Sequence, residues 1–152
     1  MPAFRTHRHV RHTPEQMFAL VADCEKYPEF VPLCRALKIR RRIAGGEGVE
    51  TLIADMEVGY KAIREKFASR VTIDRPHLKI LVEYVDGPFS HLENRWKFEA
   101  DPQHSGARVD FFITYEFRSR TLGALMGAMF DRAFHQFAEA FEKRADSVYG
   151  RS

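Results

Sequence analysis

Two cysteines and seven histidines are the side chains of this sequence with the most direct chemical reach. Cys34 closes the stretch KYPEFVPLC, residues 26–34, and a cysteine held by a histidine makes a nucleophile–base pair. The histidines, His7, His9, His12, His77, His91, His104 and His135, are scattered, and none carries a supporting motif. Cys34 therefore reads as a small buried apolar residue. Cys24 stands ten residues earlier, with no CxxC spacing, and without a secretory context the two read as free thiols. His7 and His9 share one strand face but lack a third metal ligand. No phosphate-binding glycine loop or dinucleotide fingerprint is present. The expectation is no catalytic residue, no metal and no catalytic cofactor.

A different chemistry is suggested by polar residues set in apolar alternation. Glu65 and Ser69 fall on the face of Ile63 and Phe67; Asn94 falls on the face of Leu92 and Trp96; Tyr60, Tyr84 and Tyr115 point the same way. Unpartnered burial of such groups costs several kcal/mol. Their natural setting is a cavity that takes a ligand with a polar head and a greasy tail. The alternative is that Glu65 turns outward, or that Glu65 and Asn94 satisfy each other. Paired carboxylates for acid–base work are absent from this inward set. Thirteen phenylalanines supply large apolar walls with no polar atom to satisfy.

These residues need elements to hold them. The chain of 152 residues fits one domain, read here as 1–152. A first strand over 3–11 is followed by a helix: Thr13 fits the N-cap, Pro14 the first helical position and Gln16 a capping box. Pro28 and Pro32 cut residues 23–33 into a second short helix or knuckle. Six segments then alternate with period two, separated by short turns, which describes an antiparallel meander. In the first, Leu37, Ile39 and Ile43 share a face, Lys38, Arg40 and Arg42 take the other, and Arg41 breaks the apolar side. From Leu122 to Ala145 the period changes to three and four, giving an amphipathic helix of about 25 residues. The architecture expected is α+β: a curved antiparallel sheet of about seven strands, with two short helices after the first, gripping a long C-terminal helix. Within that helix Gly123 and Gly127, four apart, suggest close approach by a strand or a lipid tail.

Charge is uneven. Residues 1–42 carry nine Lys/Arg against four Asp/Glu, and residues 43–152 carry fifteen against seventeen. The basic excess peaks in CRALKIRRRIA, a solvated strand face or a surface for an anionic membrane or RNA. Stacking aromatics are not interleaved there, and nothing points to DNA. No apolar run reaches membrane-span length and no secretory signal is evident, so the chain reads as cytoplasmic.

The stretches YPEFVPLC (27–34), GPFSHLENRWKF (87–98), VDFFITYEFRSRTL (109–122) and AFEKRADSVYG (140–150) resemble the START-like (SRPBCC) superfamily, in particular its coenzyme Q-binding branch. Bacterial members of that branch are also described as ribosome-association toxins, and older labels call them polyketide cyclase/dehydrase domains. The family usually has Trp where this chain has Leu33, which keeps an apolar wall without a stacking ring. The resemblance implies a sheet–helix cavity holding ubiquinone or a related polyprenyl lipid, carried without chemistry on it in support of respiration and quinone biosynthesis. A position peripheral on an anionic inner membrane follows from that role. A ribosome-associating inhibitor and a cyclase/aromatase are the alternatives. The ligand-contacting residues expected are Tyr27, Phe30, Val31 and Leu33 in the proline corner, Glu65, Phe67, Asn94, Trp96 and Tyr115 on the sheet, and Met126, Met129 and Phe130 on the helix. The corner is expected to be the gate or wall of the cavity, anchored by buried Cys34.

Overall fold

The computed structural model describes residues 3–60 and 62–150; the side chain of Tyr60, expected to point inward, lies outside the described residues. Strand β1 (Ala3–Val10) leads into helix α1 (Pro14–Ala22), a 3-10 turn (Cys24–Glu29), and six strands: β2 (Cys34–Ala44), β3 (Val49–Tyr60), β4 (Ile63–Asp74), β5 (Lys79–Asp86), β6 (Phe89–Ala100) and β7 (Ala107–Phe117). Helix α2 (Arg120–Tyr149) closes the chain. The sheet is antiparallel throughout, in the order β1-β7-β6-β5-β4-β3-β2. This is the helix-grip architecture expected from the period changes.

Local signals act where the sequence places them. The Thr13 hydroxyl accepts from the Gln16 N–H and the Gln16 side chain accepts from the Thr13 N–H, both at 3.0 Å, so the capping box forms. Helix α2 has 30 residues, about 45 Å of rise. It exceeds its apolar stripe because Ser119 caps its start and nothing after Ala145 breaks it until Gly150 at φ 86°.

One register expectation is corrected. In β2 the pairing steps from Ile39–Ala54 to Arg41–Ile53, so Arg40 is an extra residue. An extra residue flips every later side chain to the other face. Leu37 and Ile39 face inward, but Arg42 then shares the face of buried Leu52 and pairs with Glu25 of the 3-10 turn at 2.8 Å, while Ile43 turns outward, 43% exposed.

The core sits between the concave sheet face and α2. Phe89 is its hub, meeting Phe67, Tyr84 and Phe130 edge-on at 5.5–5.8 Å and stacking on Phe117 at 4.8 Å. Edge-to-face geometry suits the ring quadrupoles and adds to the area buried. Gly87, at φ 145°, lets the β5–β6 turn lie on Phe67: a Cβ there would stand 2.5 Å from the Phe67 Cβ.

Candidate functional site

Helix α2 makes its main backbone approach to β7, β1 and α1. Strands β2, β3 and β4 curl past it, and the space between is bridged by side chains alone. It is not completely filled. A cavity of about 80 Å³ remains, walled by Ala54, Val58, Phe67 and Val71 from the sheet, Trp96 and Ile113 from its centre, and Phe130, Ala133, Phe134 and Phe141 from α2. Its rim is formed by half-buried Leu33, Leu37, Met56 and Phe137. Several waters fit in this space, but a lipid ring does not, so the resting cavity is nearly shut.

Seven of the twelve expected contact residues meet here: Tyr27, Val31, Leu33, Phe67, Asn94, Trp96 and Phe130. The other five do not line the cavity. Phe30 turns to the outside of the corner, wedged between the Phe141 ring at 5.0 Å and the Arg144 guanidinium at 5.0 Å. It clamps the corner to α2 rather than facing a ligand. Glu65 lies on the inward face beside its register partner Val58, but close to the β3–β4 turn, where it stays half-exposed. Tyr115 and Met126 are core filler; Tyr115 packs on Phe134 at 5.0 Å, and burial raises its hydroxyl pKa. Met129 is half-buried beside the core.

The polar groups are sparse and ordered. The Trp96 indole N–H donates to Asn94 Oδ1 at 2.8 Å, and Asn94 Nδ2 donates to the Phe112 carbonyl at 2.9 Å. An indole only donates and a carbonyl only accepts, so the amide orientation is fixed. Asn94 is satisfied by these two groups and not by Glu65. Ser69, 6% exposed, also lines the cavity. The inward alternation placed Ser69 correctly on this face, but a small hydroxyl in sequence gives no sign that it reaches a cavity. Leu37, Met56 and Phe137, half-buried at the rim, were not foreseen either, because their places on apolar strand and helix faces look like ordinary packing in sequence.

The cysteines are inert. Burial pushes the Cys24 thiol up to about 11 and the Cys34 thiol up to about 12. Thiolate is the nucleophile, so neither attacks anything near neutral pH. The Cys24 S–H and the Tyr27 O–H both reach the Val21 carbonyl at the end of α1, supplying donors to a helix terminus. Burial holds the Tyr27 hydroxyl well above the usual phenol range. His7 and His9 separate to Asp110 and Asp101 at 2.5 and 2.6 Å, so they do not converge on one point.

The corner itself is strained. Leu33 holds φ 65°, in the left-handed region that a branched side chain avoids. The Gly59 N–H donates to the Leu33 carbonyl at 3.0 Å and tethers it to β3.

A family described as polyketide cyclase / dehydrase and lipid transport matches residues 10–142. The chain belongs to that family. A ribosome association toxin of Rickettsia prowazekii is 33% identical over 97% of this chain and 99% of its own. A mitochondrial coenzyme Q-binding protein of Xenopus laevis, COQ10 homolog B, is 34% identical over 90% of this chain, which spans 55% of that protein. An 18 kDa protein of Caulobacter crescentus superposes with a TM-score of 0.79 at 35% identity, covering 99% of this chain and 100% of its own. A Streptomyces aromatase/cyclase superposes with a TM-score of 0.75 at 14% identity, covering 95% of this chain and 93% of its own, which establishes a shared fold. A START superfamily protein of Mycobacterium smegmatis does likewise, with a TM-score of 0.77 at 17% identity over 96% and 98% of the two chains. Family membership and the START-like grip agree with the motifs that carried the resemblance.

Proposed function

We propose that the protein is a non-enzymatic carrier of an uncharged apolar lipid, ubiquinone or a related polyprenyl compound, held in the sheet–helix cavity. One observation carries this reading: among the described residues, the cavity lining holds no Lys, Arg, His, Asp or Glu. Burying a carboxylate or phosphate against such a wall leaves its charge unpaired, at a cost no modest contact area offsets. Fatty acids and phospholipid head groups are therefore poor fits, and a neutral ring with an isoprenoid tail is a good one. A cyclase or aromatase needs an acid and a base at the ligand, and this wall offers neither. Quinones are electrophiles that thiolates attack. The raised Cys24 pKa keeps its sulfur protonated, so a bound quinone survives. The coenzyme Q-binding relative points the same way.

Loading requires widening, since ligand sites typically measure roughly 300–1,000 Å³. The segment beside the cavity best suited to move is the start of α2, which leads into the cavity wall at Phe130. Residues 121–130 are uncharged, Leu125 is 62% exposed, and Arg118 and Arg120 stand exposed just before it. The neighbouring β5–β6 turn offers exposed Val85. Apolar side chains with flanking arginines suit the surface of an anionic membrane, with the guanidiniums at the head groups. In this reading the protein works in the cytoplasm, peripheral to a membrane, and docks through α2 rather than through the basic strand β2. In β2, Arg40 pairs with Asp55 at 2.7 Å and Arg42 with Glu25 at 2.8 Å, so much of its charge is spent on the fold. Such charge also guards an edge strand against pairing with other chains. Leu125→Glu should weaken binding to phosphatidylglycerol vesicles about tenfold.

The second reading is ribosome association, favoured by the full-length similarity to the Rickettsia toxin and by Lys38 and Arg41, exposed on β2. Mass spectrometry of a solvent extract of the native protein tests the first reading. A stoichiometric quinone or polyprenyl lipid supports it. An empty protein that comigrates with ribosomal subunits in low salt, and leaves them as salt rises, replaces it with the second.

A further inference from the structure

We infer that the Ser69 hydroxyl, backed by the Asn94 amide, is the hydrogen-bond anchor for a carbonyl oxygen on the ligand's head group. This rests on the carrier reading above and specifies how the ligand sits. Ser69 is 6% exposed, lines the cavity, and makes no side-chain hydrogen bond among the described residues. Among the described residues no fully sealed side-chain N or O atom lacks a partner, so the Ser69 oxygen keeps accessible surface beside the cavity it lines. A hydroxyl set in an apolar cavity without a protein partner has its hydrogen-bonding capacity open to whatever occupies the cavity.

The backbone aims it. Between β4 and β5 the register steps from Ala68–Asp86 to Ser69–Tyr84, leaving Val85 as the extra residue. The extra residue lies on β5, so β4 keeps its alternation: Phe67 and Ser69 pair in unbroken register with Met56 and Ala54 of β3, and all four line the cavity. Here three successive residues, Phe67, Ala68 and Ser69, are all buried. Asn94 supplies a second donor. Its Nδ2 carries two hydrogens, and the Phe112 carbonyl takes one. Both donors are buried, whereas Leu33, Leu37, Met56 and Phe137 at the rim stay half-exposed. The head group therefore sits inward and the tail leaves past Leu33. Two neutral donors facing an apolar wall select a neutral acceptor such as a ring carbonyl.

Trp96 is the chain's single tryptophan and lines the cavity, so its fluorescence, corrected for ligand absorbance, reports occupancy. The probes are a decyl-tailed 1,4-benzoquinone, decylbenzene as its oxygen-free counterpart, and dodecanoate. The wild-type chain should bind the quinone more tightly than the other two. Ser69→Ala should weaken quinone binding about fivefold and leave decylbenzene unchanged, the size of one neutral hydrogen bond. Ser69→Thr, which keeps the hydroxyl, should restore most of the loss, and circular dichroism should show all three proteins folded alike. Equal quinone affinity in wild type and Ser69→Ala overturns the anchor while leaving the carrier reading intact. Equal weakening for quinone and decylbenzene overturns it too, since the change then acts through cavity shape. Failure of the wild type to bind either oil, or preference for dodecanoate, overturns both the anchor and the carrier reading.

Discussion

The two halves of α2 are held in different ways. The second half is clamped by polar contacts from three directions. Arg8 of β1 donates to Glu142 at 2.5 Å, buried His12 meets Asp146 at 2.7 Å, Arg144 pairs with Glu29 at 2.6 Å, and the Tyr149 hydroxyl donates to the Gln16 carbonyl at 3.1 Å. Phe141 beneath them touches Trp96, Tyr27 and Phe30 at 5.0–5.4 Å. The first half, through Met129, has no side-chain hydrogen bond or ion pair among the described residues beyond its Ser119 cap. It contains Gly123 and Gly127, and it rests on the sheet through Met126, Leu122 and Phe130. Apolar contacts are non-directional and tolerate sliding, whereas a set of paired charges has one good geometry. The clamped half thus carries most of the α2 side of the cavity, through Ala133, Phe134, Phe137 and Phe141, while the apolar half, which reaches the cavity only at its junction, Phe130, is the less tightly held of the two.

The sharpest way to break this contrast is to remove the packing under the clamped half. Phe141→Ala should cost about 3–5 kcal/mol in urea denaturation, because a fully buried ring leaves a void its neighbours cannot close. A cost no larger than that of a surface change would refute the assignment. Next in size, His12→Ala should cost about 1–3 kcal/mol by removing the buried imidazole and its hydrogen bond to the Asp146 carboxylate. Amide exchange should then speed up in the last turns of α2, with residues 121–130 unaffected.

In the loose half, Gly127→Ala should stabilise the protein by about 1 kcal/mol. No other described atom lies within 4 Å of the position a Cβ would take, and alanine lowers the entropy lost on folding. The lipid exchange rate should fall at the same time; an unchanged rate would show that the cavity opens elsewhere. The close approach expected at both glycines is not found: at Gly123 a Cβ would meet Phe117 at 3.7 Å, an ordinary contact, and at Gly127 it would meet nothing within 4 Å.

The smallest effect is alkaline. Folding raises Cys24 from 9.0 to about 11 and Cys34 from 9.0 to about 12. The folded state therefore favours the protonated thiols. Their contribution is complete below about pH 9 and disappears as pH climbs through 11 to 12, where the unfolded chain gains by ionising. Thermal melts should hold constant between pH 7 and 8.5 on this account and fall above it. Iodoacetamide labelling of the native protein should stay slow over the same range.

Much of this molecule is written along the chain itself. Strand alternation, the Thr13–Gln16 cap, the punctuation at Pro28 and Pro32 and the change of period at Leu122 each depend on neighbours within a few residues. Such local signals remain readable without a structure. The inward face of Phe67, Asn94 and Trp96 was legible for the same reason. Four matters were left to the tertiary structure. A single extra residue at Arg40 reversed the faces of Arg42 and Ile43, and a bulge of that kind leaves no mark on composition. Phe30 and Leu33 stand in one apolar corner, yet one grips α2 and the other rims the cavity, because backbone dihedrals set their directions. Glu65 stayed at the half-exposed end of its strand. Ser69 acquired its standing from what lies opposite it, an unfilled space between a curled sheet and a helix pinned at one end. Spacing along a chain specifies which face a residue takes; only the packing of distant elements decides whether that face meets atoms, water or a void.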